Sequence, residues 1–488
     1  MKRWARQVLG RRTNVVMFGC AVFLLGLVLA RFGLRTPLWF AGALGIAGLL
    51  LRQKPALRFC IVVLACFCLG LWRGGEFFAQ LSPYRTAAYQ KVTITVTADE
   101  DATYATGGQL SFAAGDVVFV QPKLGKTNGT VRIKGFGELA VYRGDKITVQ
   151  GGLYPTRGAS QASISFAQIH RTGSHSSYLD EFRRRFAAGL QSALPEPQAS
   201  FGMGLLIGQR NTLPDDITMA LKMVGLTHII AVSGYNLTIM LTAARRLMGK
   251  QSKLASTVVA VALMLGFIGL TGASASIVRA AVISGLGLAA WYVGREVRPM
   301  VLILLAAALT AGANPIYLWS DIGWYLSFLA FFGILMLAPQ LSRRLWGERQ
   351  PPILAQVAVE TLCAEIMTIP LVMFIFGQVS LIGLAANVLV ATAIPLGMLL
   401  CFVAGMVGWL TPLLVGWVAW PAHVLLTYML DCATLLSRVP HSFQANVYLS
   451  TFDMILCYAA LILLVFALYR PVRQRWINVV KQIGERKV

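Results

Sequence analysis

The sequence predicts a polytopic α-helical membrane protein of about 12 spans, with a small extracytoplasmic β-barrel domain of OB type inserted among them. Three observations predict it. Of 488 residues, 57% are hydrophobic and only 13% charged, against about 25% charged in soluble domains, and the mean hydropathy is +0.66. Apolar runs of helical length recur along most of the chain. Between residues 80 and 200 they give way to short β-branched stretches with period two.

Three apolar runs open the chain: Val15–Ala30, Leu38–Leu51 and Leu57–Trp72. The first follows the basic segment MKRWARQVLGRR, and no small-x-small cleavage signal precedes Arg31, so it reads as an uncleaved first span. The second is short for a span of about 20 residues and is expected to tilt or to pair as a hairpin with its neighbour. Further runs lie near 227–244, 254–272, 275–293, 299–313, 322–338, 354–376, 381–410, 413–436 and 453–469. The 381–410 run holds Asn387 and Pro395 and reads as a broken helix that crosses once.

Most of the net charge of +23 is accounted for by topology without any nucleic acid. Lys and Arg gather in cytoplasmic loops, and here they cluster at Lys2–Arg12, Arg52–Arg58, Arg245–Lys253, Arg295–Arg298, Arg343–Arg349 and in the tail from Arg470. With twelve crossings both termini are cytoplasmic and the β-rich region lies outside. The eight cysteines sit in or beside apolar runs, as small buried hydrophobes rather than a disulfide framework or a metal site.

Lys91–His170 reads as five or six short strands. Val92, Ile94 and Val96 alternate with Thr93, Thr95 and Thr97, the period of a half-buried strand. Gly107-Gly108, Asn128-Gly129 and Gly144-Asp145 mark turns. Arg132, Lys134, Phe136 and Tyr142 are the candidate DNA-binding residues of this domain, since aromatics beside cations stack bases. The plainer expectation is that Phe136 and Tyr142 pack the barrel core. In Tyr178–Leu194 the residues Leu179, Phe182, Phe186, Leu190 and Leu194 share one helical face, with Arg183, Arg184 and Arg185 beside it. The expectation is an amphipathic helix on the outer membrane surface, with a basic collar at a pore mouth as the sharper alternative. The expected organisation is residues 1–80 (first helices), 81–172 (OB-like domain), 173–225 (surface helices) and 226–488 (transmembrane core and basic tail).

Several polar residues fall where a bilayer penalises them. Gly202–Met240 ends in an apolar span that contains His228, Ser233, Gly234, Tyr235 and Asn236, groups that must face protein or water. Arg279 interrupts an apolar span at an insertion cost of roughly 3 kcal/mol. It therefore marks a pathway or a buried partner, unless it snorkels to the interface. Glu360, Glu365 and Asp321 are candidate ion-pair or polar-cavity partners; the two glutamates point about 140° apart on a helix, so one at most serves a given partner. Asp321, Asp431 and Asp453, near span ends, read as solvated or interfacial. The five histidines (170, 175, 228, 423, 441) form no metal-binding pair. Ala231 occupies the first glycine position of a Gly-x-Ser-x-Gly motif around Ser233, so no nucleophile is argued. The chain is not expected to be an enzyme, and no cofactor is expected.

These motifs resemble those of the ComEC competence family. Gly225-Leu226-Thr227-His228-Ile229-Ile230-Ala231-Val232-Ser233-Gly234 is similar to the family's signature. Ser276-Ile277-Val278-Arg279-Ala280 matches its Arg-Ala element. Pro315, Asp321-Ile322-Gly323 and Leu326-Ser327-Phe328 match its Pro…Asp-x-Gly…Leu-Ser-Phe block, and Pro370, Phe376-Gly377 and Ala386-Asn387 match later positions. YRGDKITVQGGLYP resembles the end of the family's OB-like domain. Two departures stand out: Tyr235-Asn236 after Ser-Gly, and no metallo-β-lactamase-like domain, so the chain resembles a short member.

The resemblance implies a channel in the bacterial cytoplasmic membrane that carries single-stranded DNA inward during natural transformation. His228, Ser233, Gly234, Asn236 and Arg279 would lie along the DNA path, with Arg279 as the phosphate contact. Implied partners are single-stranded DNA, membrane lipids, a DNA receptor, a separate nuclease and a cytoplasmic DNA translocase. The alternative is a proton-coupled transporter of a small or lipid-linked substrate working through Glu360 or Glu365. A third reading is an accessory member without transport of its own.

Overall fold

A computed structural model describes residues 12–51, 54–105, 109–138, 140–155, 158–174, 178–208, 213–230, 237, 240–241, 248, 252–272, 275–295, 298–347, 349–411 and 415–485. Among the described residues, seven helices are long and apolar enough to cross a membrane, or eight if one broken pair counts as a span. The chain divides into two compact units. The first comprises Met1–Leu213, Ile230–Tyr325 and Pro395–Val424; the second comprises Pro214–Ile229, Leu326–Ile394 and Leu425–Val488.

The first unit opens with α1 (Arg12–Ala30), α2 (Leu38–Leu50), α3 (Pro55–Gln80) and α4 (Ser82–Thr86). Gly26 of α1 and Gly70 of α3 let the two backbones touch: a Cβ on either would strike Phe67 or Phe23 carbonyl oxygens. Small residues permit such crossings between membrane helices. The short α2 packs on α3, with Gly48 against Val62, the hairpin expected from its length.

The β-rich region follows, with β1 (Lys91–Ala98), β2 (Thr103–Ala105), β3 (Gln109–Gln121), β4 (Gly125–Lys126), β5 (Val131–Phe136), β6 (Asp145–Pro155) and β7 (Ala162–Ser174). The sheet runs β1-β6-β7-β5-β3-β2, β4 pairs with β3, and β3 also pairs with β1. Among the described strands of this sheet only β5 and β7 run parallel. The alternation of β1 turns Val92, Ile94 and Val96 inward as expected, and Phe112, Ile133, Ile147, Leu153, Ile164 and Ile169 of the other strands are fully buried beside them. Phe136 and Tyr142 are not part of this core. They are 48% and 41% exposed, because Phe136 falls on the outward phase of β5 and Tyr142 lies in the turn before β6.

Next come α5 (Tyr178–Ala193) and α6 (Gln198–Ile207), then, beyond the second unit's insertion, α9 (Lys253–Thr271), α10 (Ala275–Tyr292), α11 (Pro299–Ala313) and α12 (Ile316–Ser320). The second unit supplies α7 (Asp215–Met223) and α8 (Thr227–Ile230). Helix α13 (Ile322–Phe332) runs on into a π-helical turn at Gly333–Leu337 and α14 (Ala338–Trp346). Then follow α15 (Ile353–Phe376), β8 (Gln378–Ser380), α16 (Gly383–Ala391), α17 (Ile394–Leu410), α18 (Val415–Ser437), β9 (Phe443–Ala445) and α19 (Thr451–Glu485). The 381–410 run is thus broken between α16 and α17, and β8 pairs with β9 antiparallel. In the second unit the π turn lies where Gly333 meets the backbone of Cys363 in α15.

Helix α5 packs its apolar face against protein. Phe186 and Leu190 are buried, Phe182 meets Trp409 edge-on at 5.3 Å, and Gly189 lies against the backbone of Gly405 and Gly408 in α17. Helix α6 is buried over nearly its whole length, so the head of the Gly202–Met240 stretch is packed helix rather than an amphipathic surface.

Candidate functional site

The Arg279 site is assembled by a short helix and its caps. Asp321 ends α12 and begins α13; its Oδ1 accepts the Gly323 N–H at 2.9 Å, the usual way a carboxylate satisfies a free amide at a helix start. Its other oxygen, Oδ2, stands 3.4 Å from Nη1 of Arg279. Nη2 of Arg279 donates to the Gly323 carbonyl at 3.1 Å. The Arg-Ala and Asp-x-Gly elements, 42 residues apart for the ion pair, therefore meet in one cluster. Arg279 is 4% exposed, its guanidinium enclosed by protein, and its buried Nε has no hydrogen-bond partner among the described residues. Asp321 is a half-buried ion-pair partner rather than a fully solvated span end, because the α12–α13 break turns its side chain onto α10.

Helix α12 also ties this site to the rest of the first unit. Trp319 Nε1 donates to the Leu27 carbonyl at 2.9 Å, and Arg31 Nη1 donates to the Trp319 carbonyl at 3.0 Å. Ser320 Oγ donates to the carbonyl of Gly158 in the β6–β7 loop at 2.9 Å.

The two glutamates sit in the second unit. Glu365 accepts from Asn387 Nδ2 at 3.2 Å, and Glu360 accepts from Gln356 Nε2 at 2.8 Å. The Gly225 turn, at φ +73°, lies against Ser380 and Gly383, and His228 Nδ1 is 3.0 Å from the Gly225 carbonyl. Gly225, Ser380, Gly383, Glu365 and Asn387 thus line one neighbourhood, with the Ser380 Oγ buried and without a hydrogen-bond partner among the described residues. Ser233, Gly234, Tyr235 and Asn236 lie outside the described residues. Among the described residues no three His, Cys, Asp or Glu side chains gather as metal ligands.

On the β-rich region, Arg132, Lys134 and Phe136 alternate along β5 and share its outward face. Arg132 pairs with Glu100 at 3.2 Å. Sequence reasoning missed Phe166 and Tyr89, which are 80% and 76% exposed, both with positive φ. It also missed a charged seam between the sheet and α5: Arg183 meets Asp101 at 3.4 Å and Arg143 meets Asp180 at 3.7 Å. Burial pulls the Arg183 pKa below its ordinary value and Asp101 opposes that shift. Arg184 and Arg185 pair with Glu181, so the three arginines form no free collar.

The family described as Competence protein matches residues 205–471. The chain belongs to the ComEC competence family. ComE operon protein 3 of Bacillus subtilis (strain 168) is 28% identical to the family member described here over 210 residues, which cover 42% of this chain and 26% of that protein. The competence-family chain therefore spans about a quarter of that relative's length in the match. No solved structure matches.

Proposed function

We propose that this competence-family chain is the conduit by which single-stranded DNA crosses the cytoplasmic membrane inward during natural transformation. Family membership over residues 205–471 supports a role in DNA uptake. The observation that carries the conduit reading is Arg279, a cation held inside an apolar helix with one buried N–H left over. Such a group is costly in a membrane bundle and marks a polar path by default; a phosphate oxygen would satisfy the remaining donor.

The sheet supports the other half of the reading. Its pairings return on themselves as β1-β3-β5-β7-β6-β1, with β5 and β7 parallel, a pattern that fits a small OB-type barrel able to hold a single strand outside the membrane. The implied partners remain the strand, a receptor, a separate nuclease and a cytoplasmic translocase, and the protein itself acts as a conduit rather than an enzyme. The test is uptake of labelled DNA in cells that lack the chain and carry either wild type or Arg279→Gln at equal protein level. Loss of uptake is expected; wild-type uptake by the variant removes the phosphate role.

The Glu365–Asn387 contact favours a second reading, proton-coupled transport. Glu365→Gln separates the two: it abolishes transport if Glu365 carries protons and leaves DNA uptake intact if it only holds Asn387.

A further inference from the structure

Strands β5, β7, β6 and β1 present a continuous outward face whose composition follows from the register. Arg132 stands opposite Ser163, which stands opposite Tyr154; Phe136 stands opposite Gln168, and Gln168 opposite Gln150. Lys91, Thr93 and Thr95 continue the face on β1. No Asp or Glu occupies an outward position on these four strands. Lys134 and Lys91 are exposed on it.

Phe166 is the anomaly of this face. Across β5 the register passes from Ile133–Ile164 to Gly135–Ala167, and across β6 from Gly152–Ser165 to Gln150–Gln168. One extra residue is therefore bulged out of β7 opposite Lys134. Phe166 is that residue, at φ +53°, a left-handed conformation that bulky side chains rarely adopt. The neighbouring strands make room for it with glycine on both sides. A Cβ on Gly135 would strike Ala167, and a Cβ on Gly151 would lie 2.7 Å from Ile164 and 3.1 Å from Ala167. Bulges of this kind re-aim a side chain, and the strain is maintained while the ring is left 80% exposed.

Phe166 is not alone. The Tyr154 ring folds over Gly152, 3.1 Å from where its Cβ would lie, beside the bulge. It meets Tyr89 edge-on with centroids 6.0 Å apart, and Tyr89 is also left-handed at φ +62°. Phe136 flanks Lys134 on the other side, 48% exposed. Aromatic faces interleaved with lysines, on strands that carry no outward carboxylate of their own and with Glu100 taken up by Arg132, match a polyanion whose bases are unstacked.

We propose that Phe166, thrust outward by its bulge, is the principal base-stacking residue of a single-stranded DNA site on the β5-β7-β6 face, with Lys134 as its phosphate contact. This rests on the DNA-conduit reading and adds the residue and the face. Stacking on one ring is worth about tenfold or more in affinity, and one lost phosphate contact lowers the salt slope by about 0.7 for a single strand.

The test uses the full-length protein in detergent and a fluorescent oligo-dT, with an abasic strand of equal length as the comparison. Wild type should prefer oligo-dT. Phe166→Ala should bind oligo-dT about tenfold more weakly with the salt slope unchanged, and should bind the two strands alike. Lys134→Gln should lower the slope and keep the preference. Phe166→Trp should retain binding, which separates loss of the ring from loss of the fold. Wild-type affinity and base preference in Phe166→Ala overturn the proposal while leaving DNA uptake standing. If wild type binds no strand even at low salt, the proposal and the external DNA site fall together, whereas the uptake experiment on Arg279 still decides the conduit reading. If Phe166→Ala instead loses binding to anionic lipid vesicles and not to DNA, the face is a membrane contact and the proposal is wrong.

Discussion

Asp321 serves two helices at once: Oδ1 caps α13 through the Gly323 N–H at 2.9 Å while Oδ2 lies 3.4 Å from Arg279 Nη1. The side chains are 13% and 5% exposed, so removing one partner strands a charge in a poor solvent. Asp321→Ala should cost about 3 kcal/mol, read as a lower midpoint of thermal unfolding in detergent. Arg279→Lys should also destabilise, because an ammonium lacks the planar fork that reaches both Asp321 and the Gly323 carbonyl. The double variant Arg279→Met/Asp321→Ala should lose less than the sum of the singles. Strict additivity would contradict a coupled pair.

Close backbone approach makes a different prediction for α5 and α17. A Cβ on Gly189 would lie 2.5 Å from the Gly405 carbonyl oxygen and 2.7 Å from Trp409 N. Neither atom belongs to a flexible side chain, so the helices must move apart. Gly189→Ala should cost about 1–3 kcal/mol, whereas Gly42→Ala on α2, where a Cβ meets nothing within 4 Å, should be neutral or slightly stabilising in the same thermal assay. Equal midpoints for the two variants would show that the α5–α17 contact can yield.

Much of this fold is legible because apolar length and period-two alternation are strong signals. The helices between Lys253 and Leu468 fall on the apolar runs, and Val92, Ile94 and Val96 point inward as their spacing requires. The Phe166 bulge shows where that reasoning stops. Counting forward by two from Ile164 puts Phe166 inside; counting back from Ile169 puts Ala167 inside instead. The two phases disagree, and that disagreement is the only trace of the bulge in the sequence. Arg279 is conspicuous for the cost of its position, but its choice of Asp321 over Glu365 depends on the α12–α13 break. That break is a property of three-dimensional packing that hydropathy does not carry.

The pH dependence of the β-rich region should run opposite to that of a salt-bridged carboxylate. Asp99 lies over Gly115, 2.9 Å from where a Cβ would stand. Burial, then the neighbouring Asp116 and Glu100, push its carboxyl from 3.8 up to about 6, with Arg143 opposing. The folded state then holds a proton that the unfolded chain releases near 3.8. Its stabilising contribution is complete below about 3.8 and is lost as pH rises through about 6. Asp99→Asn should unfold at a higher temperature than wild type at pH 7.5, and the difference should shrink towards pH 4. A variant that is less stable at pH 7.5 would mean that Arg143 outweighs burial and the two carboxylates.

The seam between the sheet and α5 should be a point of failure rather than a source of charge for a pore. Arg183 and Asp101 are 9% and 17% exposed at their side chains, and Asp101 Oδ1 also accepts the Arg143 N–H at 3.0 Å. Asp101 therefore holds the β5–β6 loop and α5 together, and Asp101→Ala leaves Arg183 buried against Arg143 with less compensation. The expected loss is about 3 kcal/mol, concentrated at the junction. Limited trypsin digestion should therefore cut Asp101→Ala near residues 171–185 faster than wild type, while sites in the basic tail are cut at unchanged rates. Glu181→Ala provides the contrast. It removes only the half-exposed pairs with Arg184 and Arg185, which are 35% and 58% exposed, and solvent screening leaves such pairs worth about 0–1 kcal/mol. Cleavage of Asp101→Ala no faster than of Glu181→Ala would show that the seam does not hold the sheet to α5.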